Sequence, residues 1–103
     1  MVARLTFINI KPERVGDLRR IYNEEIVLVV KKQKGYIGVW LLEPNLSTED
    51  FILLTKWGAE ADANAYETGG TYRMLIDKIK DMYTIRPITK TYTIAESKIA
   101  VTM

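Results

Sequence analysis

The chain predicts an α+β fold, a ferredoxin-like β-α-β-β-α-β plait with an antiparallel sheet covered by helices on one face. Three observations carry this. Four short stretches are rich in β-branched and aromatic residues, and two longer segments repeat apolar residues every three or four positions. The connector between the second and third strand-like stretches is short enough for a hairpin.

Ala3 to Ile10 reads as the first strand, ending around Asn9 to Lys11. Pro12 suits the first turn of a helix, where its missing N–H costs nothing, and Glu13 suits the positive end of the helix dipole. Val15, Leu18, Tyr22, Ile26 and Val29 then form the stripe that a helix lays on a sheet. The run from Ile26 to Val30 is wider than one stripe needs, and Gly35 is a plausible stop after Lys31, Lys32 and Lys34. Tyr36 to Leu42 is the second strand, 43 to 50 a turn-rich connector, and Phe51 to Trp57 the third strand. Ala59 to Thr68 begins a second helix that Gly69 and Gly70 interrupt. It continues from Tyr72 to Tyr83, with Met74 or Leu75, Ile79 and Met82 at helical spacing. Ile88 to Ile94 is the last strand, and the tail, 95 to 103, reads as a short extra strand.

At 103 residues this is expected to be one domain spanning the chain. Fifteen basic and 13 acidic side chains leave too small an excess to argue for nucleic acid or an acidic membrane. With no cysteine and no histidine, disulfides, the usual zinc sites and an imidazole base or haem ligand are excluded, and no metal is expected. The chain shows no signal-peptide core or membrane-length apolar run, so a cytoplasmic location is the default expectation.

Both side-chain parities of Tyr36 to Leu42 and of Phe51 to Leu54 are apolar. An antiparallel sheet covered on one side normally shows water a polar row on the other. The second apolar face therefore predicts a homodimer packed sheet to sheet, with Trp40 more readily an interface residue than a pocket wall.

A third strand ending in Trp57, followed by an Ala/Glu-rich helix with Tyr66, a break, and Tyr72-Arg73, resembles the antibiotic biosynthesis monooxygenase family of dimeric α/β barrels. The resemblance covers roughly residues 3 to 94. It implies a pocket between the helices and the inner side of the sheet, where some members oxidise electron-rich aromatics with molecular oxygen and no cofactor. The protein's tasks there are to assist deprotonation, stabilise an oxyanion and exclude water.

On this reading the catalytic candidates are Asn9, as a donor to a substrate oxygen, Trp57, as a wall with an N–H, and Tyr72. Tyr66, Arg73 and Trp40 are substrate-binding candidates. The bland alternatives are that Asn9 ends its strand, Trp57 is core and Arg73 is a solvated helix residue. Asn9 and Trp57 also resemble positions used by the haem-degrading branch of the family, but that branch holds iron through a histidine. The expected partner is a small aromatic or polyketide-like substrate. The alternatives are a non-oxidative isomerase, lyase or cyclase of the same superfamily, or a small-molecule-binding dimer without catalysis. Lys34 to Trp40 has a superficial likeness to an RNA-recognition signature, but that signature belongs on the third strand of such domains, not the second.

Overall fold

The computed structural model describes residues 1–96, so most of the tail to which an extra strand was assigned lies outside the described residues. Four strands, β1 (Val2–Ile8), β2 (Tyr36–Leu42), β3 (Phe51–Trp57) and β4 (Ile88–Thr93), form one sheet in the order β2-β3-β1-β4. Every neighbouring pair is antiparallel. The expected plait is the observed one, with β3 internal.

The first helical segment starts as a 3-10 turn at Pro12–Arg14, runs through α1 (Val15–Ile21), widens into a π turn at Tyr22–Ile26 and ends as α2 (Val27–Val30). The π turn explains the over-wide apolar run. It resets the phase of the stripe, so Leu18, Ile21, Ile26 and Val30 are buried while Leu28 turns outward. The reversal after α2 needs Gly35, whose φ is +80° and whose missing Cβ leaves room for the Asp62 side chain.

The second helical region is two helices, α3 (Glu60–Thr68) and α4 (Thr71–Lys78), broken where Gly70 takes φ +91°. The buried stripe after the break is Leu75, Ile79 and Met82; Met74 is exposed, and the α-helix stops at Lys78, short of Tyr83. Among the described residues no helix is long and apolar enough to cross a membrane.

Register settles which side chains face the helices. Val2, Arg4, Thr6 and Ile8 of β1 pair with Trp57, Thr55, Leu53 and Phe51 of β3, and these positions share the helix-covered side. On the other side lie Ala3, Leu5 and Phe7, next to Ile52 and Leu54, Trp40 and Leu42, and Ile88 and Tyr92. The open side is thus apolar apart from Lys56 and Lys90, the latter standing over the Phe7 ring at 5.6 Å.

Candidate functional site

Polar side chains have entered the covered layer. Arg4 is 1% exposed, and Thr6 and Thr55 are buried beside it. Alternation along β1 carries Arg4 under α3, where Nη1 donates to Glu67 Oε2 at 2.7 Å and to the Ala63 carbonyl at 3.4 Å. The guanidinium carbon lies 5.5 Å from the Tyr66 ring centre and 5.1 Å from that of Tyr72. A cation between two π faces is held without a second carboxylate, which makes burial of its charge tolerable.

An aromatic row backs the cluster. Trp57 lies 4.9 Å from Tyr66, and Tyr66 lies 6.0 Å from Tyr72, nearly edge to face. Tyr72 OH shares a 2.6 Å hydrogen bond with Thr89 Oγ1, which in turn meets Thr6 Oγ1 at 3.0 Å. Three polar atoms in this layer, Arg4 Nε, Arg4 Nη2 and Tyr66 OH, are buried with no partner among the described residues. Burial pushes the Tyr66 phenol well above its ordinary pKa, so it stays a neutral donor across the physiological range.

A groove of about 630 Å³ opens beside the cluster, lined by Tyr72, Arg73 and Ile76 of α4 on one bank and Tyr83, Arg86 and Thr89 on the other. Glu67, with a side chain 47% exposed, reaches from this groove to Arg4. Tyr72 lines the groove, whereas Arg4 and Tyr66 do not. A ligand in the groove would therefore meet a carboxylate and a phenol first, and the buried cation only past Tyr72.

The residues singled out from sequence fall into three places. Tyr72 and Arg73 line the groove. Tyr66 and Trp57 lie behind it in the core, and Trp57 is fully buried, with its N–H spent on Thr55 Oγ1 at 2.9 Å. Its N–H is thus already engaged within the protein. Asn9 and Trp40 lie elsewhere. Asn9 sits past the Ile8 end of β1, whereas Trp57 pairs with Val2 at the other end, so these two candidates lie at opposite ends of the strand pair. The exposed Asn9 amide donates to Asp50 at 3.3 Å and accepts from Thr84 at 3.2 Å, and it borders a separate cleft of about 240 Å³. Trp40 is on the open side of the sheet, folded over Gly38.

Arg4, Glu67 and Thr89 were not singled out from sequence. The available signal was Arg4 itself, a charged residue within an apolar strand. Its parity mates include Thr6, whereas Ala3, Leu5 and Phe7 form the more apolar row, so alternation alone would have turned Arg4 to solvent.

A family model described as antibiotic biosynthesis monooxygenase matches residues 1–78. No curated protein matches the chain. Among solved structures, a candidate antibiotic biosynthesis monooxygenase from Deinococcus radiodurans superposes with a TM-score of 0.80 at 15% identity, covering 99% of this chain and 100% of that one. A candidate of the same description from Bordetella bronchiseptica gives 0.78 at 11% identity, covering 92% and 97%. An MhuD mutant solved with two manganese protoporphyrin IX molecules per active site gives 0.78 at 14% identity, covering 97% and 100%. At these identities the likeness is one of fold.

Proposed function

This chain belongs to the antibiotic biosynthesis monooxygenase family, and on that premise we propose that it oxidises a small electron-rich phenol or anthrone with molecular oxygen and no cofactor. The observation that supports it is the trio of buried, unpartnered polar atoms on Arg4 and Tyr66, set in an aromatic layer beside the groove. These are donors placed for an oxyanion in a dry setting, where such interactions are strongest.

In this reading the substrate ring lies along Tyr72, and its oxygen enters as that phenol swings away from Thr89. Glu67 accepts the substrate proton, and the oxyanion so formed takes the carboxylate's place on Arg4, so the buried cation is never left unpaired. Tyr66 donates to the same oxygen. The anion then passes one electron to oxygen, and the resulting pair combines in a carbon–oxygen bond. Loss of water from the peroxide completes the change of a CH2 group and O2 into C=O and H2O, with no external reductant.

A porphyrin-based reading is weaker because the donors do not suit it. Iron would need an axial ligand, the chain has no histidine or cysteine, and the Tyr72 hydroxyl is already engaged with Thr89.

The reading includes a homodimer, because the open side of the sheet presents the partly exposed Leu5, Phe7, Trp40 and Ile52 and the exposed Leu42 and Ile88 together. A second copy of the same side would cover them and stiffen the layer that carries Arg4. The deciding experiment follows oxygen uptake by metal-free protein with a panel of anthrones and hydroquinones. Uptake that disappears in Arg4→Met supports the reading; an inert panel sinks it and favours a non-oxidative enzyme of the same fold.

A further inference from the structure

The outer part of the groove carries more positive charge than its neighbours neutralise. Arg73, Ile76 and Asp77 recur at helical spacing on α4 and, with Lys80 just past its end, line one bank, while Leu75, Ile79 and Met82 enter the core. Arg86 faces them from the segment before β4. Of the two carboxylates lining the groove, Glu67 is paired with Arg4 at 2.7 Å. Asp77 alone is left to balance Arg73, Lys80 and Arg86.

The contrast with the other arginines is informative. Arg4, Arg14, Arg19 and Arg20 each meet a carboxylate within 4.0 Å. Arg73 and Arg86, both on the groove, meet none among the described residues. Two unpaired, solvent-exposed guanidinium groups and an ammonium line one concavity, and a guanidinium is shaped to grip a carboxylate through two parallel bonds.

We propose that the groove takes aromatic substrates bearing an acidic group, with a carboxylate held at the outer end by Arg73 and Arg86, helped by Lys80, and the ring directed inward to Tyr72. The chemistry at the inner end rests on the monooxygenase reading; the anion handle is a separate statement about recognition. It gives the orientation that the inner cluster cannot supply. A ring gripped only by Arg4 and Tyr66 is free to turn about that oxygen, whereas a second anchor at the other end fixes which ring carbon meets oxygen.

The test compares homogentisic acid with its neutral methyl ester, titrated calorimetrically under nitrogen so that binding is read apart from turnover. Wild-type protein is expected to bind the acid about tenfold more tightly at low salt, the effect of two or three partly exposed charge contacts. That preference should shrink to less than about twofold in an Arg73→Gln/Arg86→Gln double variant. In wild-type protein it should also shrink as salt is raised to about 0.5 M, which needs no substitution at all. Equal binding of acid and ester, a preference that survives both the double variant and high salt, or no binding of either compound overturns the proposal. Oxygen uptake is then measured with the same pair. Selective binding of the acid without oxidation leaves the anion handle standing and removes the monooxygenase reading; oxidation of both with no selectivity does the reverse.

Discussion

Along β1 the two sides of this sheet reverse the usual distribution of polarity. The side covered by helices holds Arg4, Thr6 and Thr55, with Tyr66 and Tyr72 packed onto them, while the uncovered side holds Leu5, Phe7, Trp40, Ile52 and Leu54. If burial alone set the pattern, the charged residue of β1 would face water and its apolar row would lie under the helices. A buried arginine between two tyrosines costs stability unless something is gained from it, and an apolar open side costs solubility unless something covers it. The covered side is therefore the place to seek chemistry, and the open side the place to seek a second copy.

The largest effect expected from breaking this contrast is at Arg4. Arg4→Met keeps the bulk of the side chain, removes the charge, and leaves Glu67 half-exposed and able to be solvated. Turnover should fall about 10²–10³-fold, the range for removing one donor to a developing oxyanion, while circular dichroism shows the fold retained. A variant of near wild-type rate would make the guanidinium structural only. On the open side, Ile52→Lys would place a charge on the internal strand β3 in both copies of the proposed two-fold interface. Dimer dissociation measured by sedimentation should become easier by on the order of 3 kcal/mol, or about 100-fold, since like charges meet without partners. Unchanged association would mean that the open side is covered in some other way.

Trp57 sharpens the contrast at smaller magnitude. Trp57→Phe removes the N–H that Thr55 Oγ1 accepts at 2.9 Å and leaves a gap beside Tyr66. Thermal unfolding should show a loss of about 1–3 kcal/mol, with oxygen uptake changed only a few-fold at a temperature where the variant is folded. This is the behaviour of a core residue, the alternative to the catalytic wall that the family resemblance implies for Trp57. A selective loss of activity would return Trp57 to the reacting groups.

How much of this was legible in sequence depended on the physics each residue reports. The plait was legible because strand and helix periods differ and because Pro12, Gly35 and the Gly69-Gly70 pair punctuate them. The second apolar face was legible from Trp40 and Ile52, whose parity has no helix to face. The π turn was visible only as a surplus, the run from Ile26 to Val30, since an inserted residue shifts phase without changing composition. The site was half legible. Tyr72 and Arg73, which line the groove, and Tyr66 behind it stand out in the sequence as aromatic and basic residues of a helix, whereas the separation of Asn9 from Trp57 depends on register. Antiparallel pairing places Val2 opposite Trp57 and Ile8 opposite Phe51, so the two residues end up at opposite ends of the sheet. Arg4 was missed because deciding which parity lies under the helices requires the packing of helices that are distant in sequence.

The smallest effect is the most discriminating, and it concerns Tyr66. Its hydroxyl is buried with no partner among the described residues, so Tyr66→Phe should leave stability at neutral pH unchanged or raise it by about 1 kcal/mol, whereas loss of a satisfied hydroxyl would lower it. The same burial holds the phenol's pKa above its ordinary value of 10.0 in the folded state. Below that value both folded and unfolded chains are protonated and the contribution is complete. As pH rises above it, the unfolded chain releases the proton while the folded chain retains it, so stability falls by up to about 1.4 kcal/mol per pH unit. Denaturant midpoints measured from neutral to alkaline pH should therefore fall more steeply for wild-type protein than for Tyr66→Phe. Tyr22, also raised by burial, leaves a residual slope in both proteins. If the hydroxyl serves as a donor to the substrate, the variant loses turnover while gaining or keeping stability, a combination that a packing residue does not produce. A variant that loses both together would mean that Tyr66 belongs to the core alone, and the polar interior would then reduce to Arg4 and its carboxylate.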